Sequence, residues 1–234
     1  MKALLLAAGL GTRLRPITEE IPKCLVRVNG VSMLGFWLQK LNTKSITSIL
    51  VNTHHFADKV KKEIHELLID KEIHIFHEDT LLGTAGTLNA VAKLNPSSEL
   101  LVVHSDNFSE IVMEDFLKAH NERNKNCSIT IAIFKTNNIQ MSGMVGIDGE
   151  GVVQDFTEKP FFSNLTLANA AVYAFDLDAI EEILLEHTFA NDIARDILPH
   201  FLGRIQTFEI QGFHMDMGTM ENLNLVRNRF EAPQ

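Results

Sequence analysis

ALLLAAGLGTRLRP, residues 3–16, begins as an unbroken apolar run and ends in glycines, a hydroxyl, two arginines and a proline. Six apolar residues in a row leave no polar face, which reads as a strand buried on both sides, and such strands belong to parallel sheets. The run stops at Gly9, so Gly9, Gly11, Thr12 and Arg13 fall at the carboxyl end of the strand, where open α/β sheets bind ligands. Glycines let main-chain N–H groups approach a polyphosphate, and Arg13 adds a planar, fork-shaped cation that can hold negative charge. Ala8, Gly9, Gly11, Thr12 and Arg13 are therefore candidate nucleotide-binding residues. Two other phosphate loops fit less well. A dinucleotide loop asks for a third glycine where Leu14 stands and an acidic residue about 20 positions on, where Val28, Asn29 and Gly30 form a turn. A P-loop asks for Gly-Lys-Ser/Thr, which is absent.

Outward from this segment the alternation repeats. Apolar runs at 47–52, 73–77 and 100–104 alternate with helical periodicities at 33–42, 57–69, 86–94 and 113–122. In the second of these helices Ala57, Val60, Ile64, Leu67 and Leu68 share a face that excludes Lys61, Lys62, Glu63 and Glu66. Beyond residue 125, CSITIAIF, MVGIDGEGVVQDFTEK and LANAAVYAFD read as further strands, with a hairpin turn at Asp148, Gly149 and Gly151. Helical stretches at 178–186, 191–201 and 219–230 surround two last short strands, 204–210 and 213–216. The expected fold is α/β, a doubly wound, mostly parallel mixed sheet of Rossmann-like type, with residues 1–234 forming a single domain.

The 234 residues are 45% hydrophobic and 22% charged, enough to build one core without staples. Thirty acidic against 21 basic residues give a net charge of -9, spread along the chain, which argues against nucleic acid as a partner. The two cysteines, Cys24 and Cys127, lie in apolar segments without metal-ligand spacing and point to a reducing, cytoplasmic location. No apolar run approaches the roughly 18 residues of a membrane helix, so no membrane partner is expected. Residues 3–8 are too short for a secretory signal core. His54, His55, His74 and His77 lack the converging cysteines or helically spaced glutamate of a zinc site. Met215, Met217 and Met220 read as gap-fillers around Asp216. The assembly state is left open, a homodimer included.

Several polar residues stand where chemistry needs them. PKCLVRVNG, residues 22–30, fixes Lys23 beside a proline at the same end of the fold as the glycines. Asp106 follows the buried-looking strand LLVVHS, and Asp216 follows GFHM. Two carboxylates suit Mg²⁺, a hard cation held by one or two carboxylates plus substrate phosphates. Glu158 and Lys159, adjacent on an extended backbone before Pro160, are expected to point to opposite faces. Asn169 is a polar side chain in an apolar strand and must find partners. EDTLLGTAG, residues 78–86, is placed over a nucleoside, with Gly83 and Thr84 letting the main chain pass close and Glu78 able to accept both donors of a guanine edge.

These motifs, LAAGLGTRLRP with PKCLVRVNG, then LLGTAG at 81–86, SDN at 105–107, FTEKP at 156–160, NAAVY at 169–173 and DMGT at 216–219, resemble in order the sugar-1-phosphate nucleotidylyltransferases. The resemblance covers nearly the whole chain and implies a Rossmann-like nucleotidyltransferase fold. It also implies a reaction in which a sugar 1-phosphate attacks the α-phosphorus of a nucleoside triphosphate and pyrophosphate leaves. That chemistry needs positioned cations rather than a protein nucleophile, so Arg13, Lys23 and Lys159 are the expected catalytic groups. By resemblance Asp106 and Asp216 ligate Mg²⁺, with Asp106 also at the nucleotide. Glu158 meets sugar hydroxyls, Lys159 the sugar phosphate, and Asn169 and the Gly143 backbone the sugar. The family's glycine two residues after the asparagine is Ala171 here. GTP and a mannose- or heptose-type 1-phosphate are the favoured substrates, with a uridylyl- or thymidylyltransferase, or a silent nucleotide-sugar-binding regulator, as alternatives.

Overall fold

A computed structural model describes residues 1–94 and 98–231. Strand β1 (Lys2–Leu6) opens the chain, and the glycine-rich segment turns through the 3-10 turn Thr12–Leu14 into a single helical turn, α1 (Ile17–Glu20). A second 3-10 turn, Lys23–Leu25, leads to the small hairpin of β2 (Arg27–Val28) and β3 (Val31–Ser32). Then α2 (Met33–Leu41), β4 (Ser48–Thr53), α3 (Ala57–Glu66), β5 (Glu72–His77), α4 (Gly83–Leu94) and β6 (Glu99–His104) alternate. They are followed by β7 (Asn107–Ser109), α5 (Met113–Asn121), β8 (Ile129–Lys135), β9 (Gly143–Ile147), β10 (Val153–Glu158) and β11 (Leu167–Asp176). The described chain closes with α6 (Leu177–Glu186), a π-helical turn Ile193–Ile197, a 3-10 turn Leu198–Phe201, β12 (Ile205–Glu209), β13 (His214–Asp216) and α7 (Met220–Glu231).

One nine-stranded sheet runs in the order β10-β9-β11-β6-β1-β4-β5, with β8 and β12 branching from β11. β1 is parallel to β4 and β6, β4 to β5, and β12 to β8, while β11 is antiparallel to β6, β8 and β9, and β10 to β9. Seven of the nine strands therefore run one way and only β10 and β11 run back. β11 lets the sheet branch: Leu167 pairs with Val145 of β9, Val172 pairs with Val103 of β6, and β8 lies along its other edge.

The opening apolar run follows from this topology. Ala3 and Leu5 pack into the core under α2, α5 and α7, while Leu4 and Leu6 pack into the core under α4 and α6. A strand covered on both faces has no place for a polar residue. Truncating a leucine in such a position typically costs about 2–5 kcal/mol. Ser32 caps α2 by accepting from Gly35 N at 3.0 Å, and Asp176 caps α6 by accepting from Ala179 N at 3.2 Å. The hairpin between β9 and β10 forms where expected, with Asp148 Oδ1 accepting from the N–H groups of Glu150 and Val152 at 2.9 Å.

Two segments depart from the periodicity. α3 stops at Glu66, so Leu67 reaches the core from an extended backbone and Leu68 stands in solvent. Residues 193–201 form a π-helical turn and a 3-10 turn instead of an α-helix, with Asp192 capping the first by accepting from Arg195 N at 3.0 Å and Pro199 lying within the second. No helix among the described residues is long and apolar enough to cross a membrane.

Candidate active site

The glycine loop sits directly on the Lys23 stem. Gly11 has a φ of +62°, and a Cβ there would lie 2.9 Å from both Lys23 Cβ and Thr18 Cγ2, so only glycine allows this approach. The Thr18 hydroxyl donates to Gly11 O at 2.8 Å and holds the turn. Lys23, buried, donates from Nζ to Asp106 Oδ2 and to Asp216 Oδ1, the latter at 3.3 Å. The aspartates meet because β13 pairs with β7 so that Asp216 lies opposite Asn107, and because Met217 N donates to Asp106 O at 3.1 Å. Arg13 Nη2 stands 3.6 Å from Asp216 Oδ2 with its side chain half exposed.

Electrostatics follow from this arrangement. Burial alone would raise the Asp106 carboxyl, but the Lys23 ammonium and His104 outweigh it and pull it down to about 2. Burial would likewise lower Lys23, and the carboxylates of Asp106 and Asp216 reverse that and hold its ammonium above the usual lysine value.

Two clefts meet here. One, about 430 Å³, is lined by Ala8, Gly9, Lys23, Glu78, Gly83, Thr84 and Asp106. The other, about 750 Å³, is lined by Arg13, Asp106, Gly143, Glu158, Lys159, Asn169 and Asp216. His104 and Asp106 belong to both. Gly11 and Thr12 line neither; they shape the loop that carries Arg13.

On the smaller cleft's far wall, Gly83 has a φ of +72°, and a Cβ there would collide with Asn191. Thr84 Oγ1 accepts from Ile193 N at 2.9 Å and Ala85 N donates to Asn191 O at 3.2 Å, tying this wall to the 191–193 turn. Glu78 corrects the sequence expectation. Its Oε1 accepts from Asn52 Nδ2 at 2.7 Å and from the Thr87 hydroxyl at 2.5 Å, while Oε2 accepts from Leu82 N at 3.1 Å. The carboxylate is buried at 3% exposure and bonded to the chain itself, so it does not stand free for a guanine edge.

The larger cleft brings a second correction. Glu158 ends β10, but Lys159 takes a left-handed φ of 47° and turns its Nζ back to 3.6 Å from Glu158 Oε1. The two side chains thus share one cleft instead of facing opposite ways. Burial raises the Glu158 carboxyl, against the lowering effect of Lys159. Asn169 finds both its partners locally: Nδ2 donates to Tyr173 Oη at 2.8 Å and Oδ1 accepts from Ala171 N at 3.0 Å. Ala171 lies in the irregular stretch of β11 with a φ of 53°, the conformation for which glycine is the natural residue.

Asn52, Thr87, His104 and Asp192 are among the cleft residues that escape a reading by motif. Asn52 carried a usable signal, a polar residue following the apolar stretch Ile49–Val51. His104 and Asp192 gave none, since their place depends on how β6 and the 191–193 turn converge.

Comparison with known proteins accords with this arrangement. The sequence profile described as "Nucleotidyl transferase" matches residues 2–231. A mannose-1-phosphate guanyltransferase beta-A of Xenopus laevis is 33% identical over 227 residues, covering 93% of this chain and 61% of that protein. A putative mannose-1-phosphate guanyltransferase of Sulfolobus acidocaldarius is 30% identical over 222 residues, covering 93% of this chain and 60% of that protein. The chain thus spans about 60% of the length of these relatives. In structure, HddC from Yersinia pseudotuberculosis, complexed with GMP-PN, superposes with a TM-score of 0.80 at 22% identity, over 98% of this chain and 99% of that one. A match running from the second residue to the last described helix, on a sheet of the same architecture, leaves one assignment: the chain belongs to the nucleotidyl transferase family.

Proposed function

We propose that this protein transfers a nucleotidyl group from a nucleoside triphosphate, GTP by preference, to a mannose- or heptose-type sugar 1-phosphate, releasing pyrophosphate. The observation that carries this reading is the meeting of two clefts at Asp106, one walled by the glycine loop and the other by Glu158, Lys159 and Asn169. Such a junction suits two substrates that must present a phosphate to each other, since fixed geometry can supply much of the rate. Ala8 and Gly9 would meet the triphosphate, with Gly83 and Thr84 against the nucleoside. Arg13 and Lys23 would hold negative charge as it develops on the transferred phosphate. Across the junction Lys159 would hold the sugar phosphate, and Glu158 and Asn169, with the Gly143 backbone, would orient the sugar.

Asp106 and Asp216 offer two carboxylate oxygens on the cleft wall, a donor set that fits Mg²⁺. Bound there, the cation would neutralise charge on the phosphate oxygens. Lys23 bonds to both carboxylates and so fixes their separation. Similarity to two proteins named as guanyltransferases supports GTP. The internal bonding of Glu78 supports a reading in which the main chain around Gly83 selects the base. Two free, buried cysteines suit a reducing cytoplasm. The test is pyrophosphate release with Mg²⁺ across GTP, UTP, dTTP, CTP and ATP against hexose, amino-sugar and heptose 1-phosphates. Release that requires GTP and a mannose- or heptose-type phosphate together is expected; release with another base reassigns the substrate, and none with any pair overturns the reaction.

A further inference from the structure

We propose that Asn52 and Glu78 are positioning residues that lock the glycine loop and the nucleoside wall into one register, so that triphosphate binding depends on them through the walls they join. The inference rests on the smaller cleft being the triphosphate site. Asn52 Oδ1 accepts from Ala7 N at 2.5 Å, at the point where β1 gives way to the loop. Its Nδ2 donates to Glu78 Oε1, and the other oxygen of Glu78 accepts from Leu82 N, at the entrance to α4. An unbroken relay therefore runs from the Ala7 N–H through an amide and a carboxylate to the Leu82 N–H. Thr87 fastens it from the helix side by donating to Glu78 Oε1, and lies 2.9 Å from Gly83 O. Three strand ends and one helix are joined in this way, and Asn52, Glu78 and Thr87 are each no more than 3% exposed.

Each group has a fixed polarity, which makes the relay testable by exchange. Asn52 must accept from Ala7 and donate to Glu78; Glu78 must accept from Asn52 and from Leu82. Asn52→Asp keeps the first bond and sets two carboxylates against each other. Glu78→Gln turns its NH₂ either against Asn52 Nδ2 or against the Leu82 N–H, donor facing donor. The two changes together restore every pairing with the polarity reversed at the centre. The new carboxylate at 52 accepts from Ala7 N and from the new amide at 78, whose oxygen accepts from Leu82 N. Thr87 then accepts from that amide while its hydroxyl turns to Gly83 O. A carboxylate that read the base directly would not be replaced by such an exchange.

The experiment compares wild type, Asn52→Asp, Glu78→Gln and the double variant by steady-state kinetics, well below the melting temperature of the least stable. Each single variant is expected to raise the triphosphate KM at least about tenfold, the scale of one lost buried hydrogen bond, and to leave the sugar-phosphate KM within about twofold. The double variant is expected to recover most of the loss. Equal rises in both KM values, or a fall in melting temperature alone, would reduce the relay to a structural role, and failure of the double variant to recover would overturn it. The proposed reaction fails separately, through absence of pyrophosphate release by wild type. In that case calorimetric titration of GTP and UTP into the same four proteins still reads the relay, and equal affinities across the set overturn it.

Discussion

Replacing Lys23 by methionine removes the cation from between two carboxylates while keeping most of the buried stem. Lys23 Nζ lies 3.3 Å from Asp216 Oδ1 and contacts Asp106 as well. A unit-charge pair at that separation is worth roughly 5 kcal/mol at an effective dielectric near 20. That figure is a ceiling, because the side chains of Asp106 and Asp216 are 33% and 42% exposed and water screens them. Removing one partner of a largely buried pair leaves the others uncompensated, so the expected loss is about 2–3 kcal/mol at pH 7. The pH dependence has a definite sign. Asp106 sits at about 2 in the folded chain, against an unfolded value of about 3.9. The stability this represents is complete above about pH 4 and disappears as pH falls towards 2, so the gap between wild type and Lys23→Met should close over that window. The assay is urea unfolding at both ends of the range, together with thermal melts with and without Mg²⁺ at constant ionic strength. Freed of the ammonium, the paired carboxylates should respond to Mg²⁺ with a larger rise in Tm than wild type shows. Equal stability at pH 7, or a Mg²⁺ response no larger than wild type's, would refute the account.

Lys159→Ala should raise the KM for the sugar phosphate about tenfold and leave the triphosphate KM unchanged; the reverse pattern in steady-state kinetics would move Lys159 to the nucleotide. Ala171→Gly should raise the calorimetric Tm, since the φ of 53° strains alanine and relief net of glycine's extra unfolded freedom is worth up to about 1 kcal/mol. A fall in Tm would show that the methyl group packs more favourably than the backbone is strained. Burial, helped by Arg123, pulls His120 down to about 3, below an unfolded value of about 6.5. The unfolded chain therefore binds the proton first, and stability falls on acidification from pH 6.5, by up to about 2 kcal/mol at pH 5 for this residue. Urea unfolding of His120→Gln should show a flatter profile across that range; an unchanged slope would exonerate His120.

The fold was legible wherever burial leaves a pattern. β1, β4 and β6 are apolar on both faces because helices cover both, and α2 and α5 show single-faced periodicity because each covers one side. The site was legible where a carboxylate stands at a strand end or a lysine follows a proline near the glycine loop, and Asp106, Glu158 and Lys23 do lie on cleft walls. Three things were not readable, each for a physical reason. Leu67 and Leu68 continue a helical stripe, but Leu67 reaches the core from an extended backbone, and hydrophobicity alone does not distinguish the two routes. Strand alternation sent Glu158 and Lys159 apart, and one left-handed residue brought them together. Glu78 is a carboxylate beside a cleft either way; Asn52 on a neighbouring strand, with Leu82 and Thr87, bonds it within the chain, and no sequence pattern shows that convergence.

The two clefts share little more than the stretch containing His104 and Asp106. Apart from Asn191, the lining of the smaller one comes from residues 6–106, while that of the larger one comes mainly from residues 134–222. Variation is thereby partitioned along the gene. On the proposed assignment of the clefts, a lineage can accumulate changes in the second half outside the 191–193 turn and explore new acceptors without touching the donor side, and recombination near residue 106 would exchange most of one lining while keeping most of the other. Asp106, common to both, is where such drift must stop.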